Sequence, residues 1–323
     1  MKTIRILSAA FAALIAGSST ALSQAWPNRP IQVVSPFSAG NANDLVARVV
    51  LDQVSKQLGQ TIVFENRPGG GGTIGAASVA RAKPDGYTIL IHSSSFAASR
   101  VLHKKLPFDT LKDFLPVAMF GVQPSVLVCA PSKGYKTVAD IVKAAKAKPG
   151  ALNYASAGVG AASHMAAERF LASAGIKVQH IPFRGPIEAF TEVMAGRIDF
   201  YFLPISPALP NIQNGKLAAI AVSTPARAPS LPNVPTTKEA GYPGAAYLFW
   251  GGLFLPVKAP AAIADRLHAE TTKALALSDV QARLAKLGVQ PMPMTRAEFD
   301  KFFREDVTST IKLAKEIGLM PQN

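Results

Sequence analysis

Ser35-Pro36-Phe37-Ser38-Ala39-Gly40-Asn41-Ala42-Asn43-Asp44 is the stretch on which the reading of this chain turns. Before it, Ile31-Gln32-Val33-Val34 is a short apolar run that predicts a buried strand. After it, Ala47, Val50, Leu51, Val54 and Leu58 recur at helical spacing, and Gly59 follows as a C-terminal stop. Gly40, Asn41 and Asn43 are residue types that tolerate positive φ, so the turn between strand and helix can be tight. Such a turn aims unpaired backbone N–H groups outward at a helix N-terminus, which is a site for an anion. A plainer reading makes Asn43 or Asp44 an ordinary helix cap. The decapeptide alone supports both.

A second stretch repeats the pattern. Leu152-Asn153-Tyr154-Ala155 predicts a strand, Ser156 to His164 is a turn of small residues, and a helix follows with Ala167, Phe170, Leu171 and Ala174 on one face. Ser156, Ser163 and the backbone from Gly158 through Gly160 to Ala161 can donate to an anion. Ser163-His164 does not make a nucleophile and its base. Neighbours at a helix start point apart, and the chain has no G-x-S-x-G elbow.

Between and beyond these turns, strands and helices alternate in two similar blocks, which predicts an α/β fold of two doubly wound lobes. The serines Ser93 and Ser94 fall after the strand Tyr87 to Ile91, at the edge where open α/β sheets bind ligands. His92 there is either a ligand contact or, more ordinarily, a loop histidine facing solvent. Gly70, Gly72 and Gly75 match G-x-G-x-x-G, but no acidic residue ends the next strand and no P-loop lysine follows, so a dinucleotide site is not expected. These glycines are read as a tight entry to the helix Ala76 to Ala82, near a cleft. Pro107 and Pro116 are expected to break up residues 101–120. Asp199, in a strand, is expected to need a hydrogen-bond partner. Arg184, in the turn before the helix Ile187 to Ala195, is equally a carboxylate partner or a surface arginine. A short strand is read at Val289 to Met292, and Thr295 with Glu298 forms a capping box for the last helix.

Composition sets the outer bounds. The chain has 323 residues, 49% hydrophobic and 17% charged, which suits one large or two medium domains with a full core. Lys2 and Arg5, the apolar run Ile6 to Gly17 and the small-x-small Ser23-Gln24-Ala25 read as a secretory signal peptide cleaved after Ala25. Without it 32 basic and 20 acidic residues remain, a charge of +12. The basic residues are scattered singly, with no block and no aromatic interleaving, which argues against nucleic acid and for steering of small anions. The lone Cys129 lies in an apolar run and is read as a buried hydrophobe; it permits no internal disulfide and no zinc spacing.

Several motifs together carry a resemblance. They are Pro36-Phe37-x-Ala39-Gly40-x-x-x-Asp44, Glu65-Asn66-Arg67-Pro68-Gly69, Pro84-Asp85-Gly86-Tyr87-Thr88, Ser156-Ala157-Gly158-x-Gly160 with Ser163-His164, Asn214-Gly215-Lys216-Leu217 and Leu231-Pro232-x-Val234-Pro235-Thr236. From Trp26-Pro27 to the C-terminus the chain resembles the Bug family, the substrate-binding proteins of tripartite tricarboxylate transporters. The resemblance implies a type II-like periplasmic binding fold that closes over a small carboxylate. By that analogy Phe37, Ser38, Ala39, Gly40, Asn41, Asn43 and Asp44, the serines Ser93 and Ser94, the turn from Ser156 to His164, and Arg184 line the cleft. It further implies lobe 1 at 26–130 with 226–323 and lobe 2 at 131–225. The expected protein is an exported periplasmic monomer that hands its ligand to a membrane transporter. It is not an enzyme and needs no cofactor or metal. A sensor that signals to a membrane receptor is the alternative. This chain departs from the family pattern at Asn41, at Phe183-Arg184 and at Glu188, and Glu188 can repel a second carboxylate if it faces the cleft.

Overall fold

The computed structural model describes residues 26–103, 105–316 and 318–319. The signal-peptide reading falls outside them. Among the described residues, ten strands form two five-stranded sheets. The first has the order β2-β1-β3-β10-β4 and the second β7-β6-β8-β5-β9. In the first, β1 (Ile31–Ser35) runs parallel to β2 (Ile62–Asn66) and β3 (Thr88–Ser93). β10 (Phe249–Pro256) lies antiparallel between β3 and β4 (Phe114–Gln123). In the second, β6 (Asn153–Ser156) is parallel to β7 (Gln179–Pro182) and β8 (Phe200–Pro204), while β5 (Ser125–Cys129) is antiparallel to β8 and β9 (Ala218–Val222). These are two α/β lobes with mixed sheets, as the alternating pattern requires.

The chain crosses between the sheets at Pro124, since β4 ends at Gln123 and β5 begins at Ser125. So β5 lies in the second sheet, short of the expected division at residue 130. Residues 226–248 also pack mainly on the second sheet: Thr236 bridges Val222, and Ala245 and Tyr247 enter that sheet's core.

Periodicity explains the helices. α1 (Ala42–Leu58) buries Val46, Ala47, Val50, Leu51 and Val54 against the first sheet and ends on Gly59 in the left-handed region. α2 (Thr73–Ala80) follows a tight turn at Gly70–Gly72. α3 (Ser95–Leu102) follows β3 almost at once, so the expected loop after Ile91 is instead two more residues of strand and a helix start. α4 (Val138–Ala147) carries a capping box from Thr137 and Asp140. α5 (Ala162–Ala174) and α6 (Pro186–Met194) follow β6 and β7. α7 (Ile205–Gln213) follows β8 despite Pro210 in its interior. α8 (Ala261–Ala276), α9 (Ser278–Lys286) and α10 (Arg296–Glu316) complete the first lobe. Thr295 and Glu298 make the expected capping bonds at the start of α10.

Two expectations change. Pro116 does not break β4. It sits within the strand at a register irregularity opposite Phe254, where a proline is tolerated. The expected strand Val289 to Met292 reduces to one bridge, Gln290 with Val122. Asp199 has its partners: it accepts from Lys133 Nζ and from the Asn153 amide, both at 2.8 Å. Cys129 is fully buried, and burial pushes its thiol up to about 11.

One aromatic cluster positions the site. Phe96 of α3 contacts Phe108, Phe114, Phe254 and Phe303, and so ties α3 to β4, β10 and α10. The far end of α3 does something different. Ala98 and Leu102 belong to the core of the second sheet, beside Tyr154, Met165 and Phe200. α3 therefore spans the two lobes.

At Gly121 the backbone has φ +150°, and an added Cβ would lie against the Gln290 carbonyl. Strain and backbone overlap act together there. Gly121→Ala is expected to lower unfolding free energy by about 2–4 kcal/mol, read from urea denaturation; a loss below about 0.5 kcal/mol contradicts the packing described.

Candidate functional site

The first bend closes mostly upon itself. Asn41 caps α1: its Oδ1 accepts from the Asn43 and Asp44 amides at 3.0 and 3.1 Å. This corrects the expectation of a cap at Asn43 or Asp44. The Gly40 amide donates to Asp44 Oδ2 at 3.0 Å, and the Asn41 amide to the Ser38 carbonyl at 3.4 Å. Asp44 is fully buried and also takes Arg48 Nε at 2.9 Å and Asn66 Nδ2 at 3.0 Å. Burial works to raise its carboxyl, but these bonds outweigh it and hold the group below its ordinary value. Asp44 braces the bend from within. Among the described residues, the amides of Ser38, Ala39 and Ala42 are left without an acceptor. Ser38, Ala39 and Gly40 are exposed at the tip.

Asn43 points inward. It is 2% exposed, its side-chain amide has no protein partner, and Oδ1 lies 2.5 Å from where a Cβ on Gly251 would be. Asn43 shares a small cavity with Gln123, whose Oε1 is likewise unpartnered. At the end of β3, Ser93 pairs with Ser95 through their hydroxyls at 2.9 Å, and the Ser94 hydroxyl is buried facing the Tyr247 phenol. His92 is not a loop residue. It is 1% exposed, stacked on Phe96 at 4.3 Å and edge-on to Phe37 at 5.5 Å.

The second bend is built the other way. Inside it, the Ala157 amide donates to Ser163 Oγ at 3.0 Å, the Gly158 amide to Ser156 Oγ at 3.1 Å, and the Gly160 amide to His164 Nδ1 at 2.9 Å. The helix it leads into has no cap. The N-cap position of α5 is Ala161, which carries no acceptor. Among the described residues, the amides of Ala162, Ser163 and His164 at the first turn of α5 donate to nothing. Three aligned donors and the positive end of a 13-residue helix dipole remain for an anion.

A buried ring stack supports this bend from below. His164 stacks on His180 at 4.1 Å, and His180 on Tyr154 at 4.8 Å. His180 Nε2 lies 2.6 Å from Ser156 Oγ, and Tyr154 donates to Glu168 through a short hydrogen bond. His164 Nδ1 accepts from Gly160, so its proton sits on Nε2, facing Glu168 Oε1 at 3.7 Å. The composition of the turn gave no sign of His180 or Glu168, which come from other elements. Burial pushes His164 down to about 3 and His180 to about 4. Burial likewise raises the Glu168 carboxyl.

Arg184 lies on the adjacent turn. β7 pairs Pro182 with Ser156, and the Phe183 amide donates to the Ser156 carbonyl at 3.0 Å. The Arg184 side chain is exposed, and its amide donates to Glu188 Oε2 at 3.3 Å. Glu188 thus reaches back to the turn ahead of α6, whose N-cap Gly185 has no side-chain cap.

α3 brings the two bends together. Phe37 of the first bend rests on His92 and so against the start of α3. Gly160 of the second, at φ +76°, lies so close to Leu102 that an added Cβ would collide with Leu102 Cδ1. The rise from Phe96 to Leu102 is about 9 Å.

The sequence profile of the "Tripartite tricarboxylate transporter family receptor" matches residues 46–319. The chain belongs to this family. It is 38% identical over 296 residues to a UPF0065 protein from the tcbD-tcbE intergenic region of Pseudomonas sp. strain P51, covering 91% of this chain and 88% of that one. The periplasmic binding protein BugD superposes with a TM-score of 0.82 at 29% identity, over 92% of this chain and all of BugD. Rpa4515 of R. palustris, solved with adipate, superposes with a TM-score of 0.84 at 28% identity, over 92% of this chain and 100% of its own. The family is one of periplasmic solute-binding receptors, and the two mixed α/β lobes are its fold. No helix among the described residues is long and apolar enough to cross a membrane.

Two solution tests follow from this geometry. His92 and His164, buried, and His180, half-buried, are held uncharged with basicities pushed below the ordinary 6.5, to about 3, 3 and 4. The unfolded chain therefore binds more protons than the folded one below about pH 6.5. Stability should fall as pH drops from 7 to 4, with a slope approaching one proton per histidine; a flat profile contradicts this burial. Asp44→Asn removes a carboxylate held below its usual range. Its contribution is present above about pH 4 and shrinks as pH falls through the lower folded value, so the variant should lose about 1–3 kcal/mol at pH 7 and progressively less as pH drops below 4, by chemical denaturation.

Proposed function

We propose that this chain is an exported receptor that binds a small organic carboxylate between its two lobes and delivers it to a membrane transporter of the tripartite type. The observation that carries this reading is the uncapped start of α5. An uncapped start is shared with other helices, α9 after Leu277 among them; what marks α5 is that its three unpaired amides adjoin a bend whose own amides are bonded to side chains. A carboxylate supplies the two oxygens, and the dipole favours its charge. The exposed tip Ser38, Ala39 and Gly40 of the first bend, with Asn41, is taken to close over the same guest, and Ser93, Ser94 and Asn43 to supply polar contacts nearby. Arg184 at the rim is taken as the cation that draws the anion in. Adipate bound to Rpa4515 supports the class.

The proposal assigns no chemistry. Ser163 accepts from a backbone amide, and His164 faces away toward Glu168, so neither is placed to attack a substrate. The hinge is assigned to the two crossings, at Pro124 and near Leu248. Closure there buries the ligand and gives a membrane partner a loaded form to recognise.

Ala161→Asp tests the site. Asp at this N-cap would accept from the Ser163 and His164 amides and place a fixed negative charge where the ligand carboxylate belongs. The variant should be more stable, by about 1 kcal/mol, and should lose carboxylate binding by calorimetry at least about a hundredfold. Retained affinity with raised stability would place the anion elsewhere.

A further inference from the structure

We propose that the pole of the second lobe farthest from the second bend is a docking surface for an anionic lipid bilayer, made of lysines that the fold gathers from separate loops. This is independent of the carboxylate reading of α5 and concerns how the receptor meets a membrane.

Strand direction defines the pole. Register places Gln179, Asn153, Phe200, Cys129 and Ala218 along one edge of the second sheet. The opposite edge carries Ser156, at the second bend, and Ser125, beside the Pro124 crossing. Every strand has a basic residue close in sequence to its end on the far edge. Lys177 precedes β7, Lys148 precedes β6, Arg197 precedes β8, Lys133 follows β5 and Lys216 precedes β9. α4 leaves from this edge and returns to it, because β5 ends there and β6 begins there. It adds Lys143 and Lys146 on its exposed face, between the small residues Ala139 and Ala147, with Lys136 just ahead of its cap. The loops are joined into one surface: the Gly150 amide donates to the Lys177 carbonyl at 2.9 Å, and Lys133 pairs with Asp199 at 2.8 Å.

The charge is concentrated there and left unbalanced. Residues 133–148, 177, 192–199 and 216 hold eight basic and three acidic residues, a charge of +5, while the rest of 125–248 carries only +1. The three acids are already engaged: Asp140 in the capping box of α4, Asp199 with Lys133 and Glu192 with Arg197. Lys136, Lys143, Lys146, Lys148, Lys177 and Lys216 are exposed and form no ion pair among the described residues. Most basic side chains of the first lobe do form one, as Lys56 does with Asp52 and Arg304 with Asp300. Like charges on one face repel, and an anionic partner relieves that repulsion.

The surroundings favour lipid over protein. Exposed large apolar side chains such as Leu45, Ile74 and Ile187 lie elsewhere, and among the described residues none stands at this pole. Protein interfaces centre on buried aromatic, apolar or arginine anchors, which are missing from this face. A headgroup layer asks only for flexible point charges on a shallow surface, and lysines set among alanines provide that. Docking by this pole leaves the second bend, on the opposite edge, facing away from the bilayer.

Vesicle co-sedimentation of the mature chain tests the assignment. The vesicles are phosphatidylcholine alone, or phosphatidylcholine with about 30% phosphatidylglycerol. The wild type should bind only the anionic vesicles, and at least about tenfold more weakly when salt rises from about 50 mM to about 300 mM. The variant with Lys143, Lys146, Lys148 and Lys177 all changed to Glu should lose that binding by at least about tenfold. A second variant makes the same change in net charge on the first lobe, with Lys83, Lys105, Lys258 and Lys286 changed to Glu; it should stay within about threefold of the wild type. All eight positions are exposed, and unchanged melting temperatures control for folding. Equal losses in the two variants would show that net charge alone acts and would overturn the docking surface. No binding to the anionic vesicles, with wild type but not the first variant retained on immobilised polyglutamate, would give the pole to an acidic protein and overturn the lipid assignment. No retention on either would overturn it outright.

Discussion

The structure turns on a helix start that its own sequence leaves unfinished. Every helix begins with donors that have no partner within it, and proteins ordinarily cover them with a Ser, Thr, Asp or Asn. α1 does so through Asn41, α4 through Thr137 and α10 through Thr295. Other helices lack a side-chain cap, α8 after Pro260 and α9 after Leu277 among them, and so does α5, where Ala161 is followed by three amides with no acceptor among the described residues. The neighbourhood is otherwise carefully satisfied. Ala157, Gly158 and Gly160 each donate to a side chain, and a stack of His164, His180 and Tyr154 underpins the turn. The bend is thus bonded beneath and open on one side.

The two bends look alike in sequence and differ in physics. In the first, side chains of Asn41 and Asp44 take up most of the backbone donors, and the loop becomes a braced flap with an exposed tip. In the second, side chains support the turn but leave the helix end free. α3 joins them, held by aromatic rings at one end and entering the second lobe's core at the other.

Much of this was legible in the residues. Alternating strand and helix periods gave the two lobes, and glycines at 59 and 160 marked a stop and a turn that the backbone adopts. What stayed hidden had particular causes. Three Asx residues within four positions compete to cap α1, and only tertiary packing, which turns Asn43 toward Gly251 and buries Asp44 with Arg48, decides for Asn41. Pro116 reads as a breaker because the irregularity opposite Phe254 that tolerates it belongs to another strand. Pro207 and Pro210 hide α7 in the same way. His92 reads as a loop residue because nothing local announces that α3 begins two residues later and lays Phe96 on its ring. The open N-terminus of α5 was in plain view as an alanine, but an unfilled cap is a signal only once the helix start is known to the residue.

The most direct measurement is the backbone amide spectrum of the isotopically labelled mature protein as hexanoate is added. If α5 holds the carboxylate, the Ser163 and His164 amide protons shift strongly downfield and become protected from exchange with solvent, while Gly40, Asn43 and Asp44, already bonded within their own bend, move little. Large shifts at Gly40 and Asn43 with Ser163 and His164 unmoved would contradict the account.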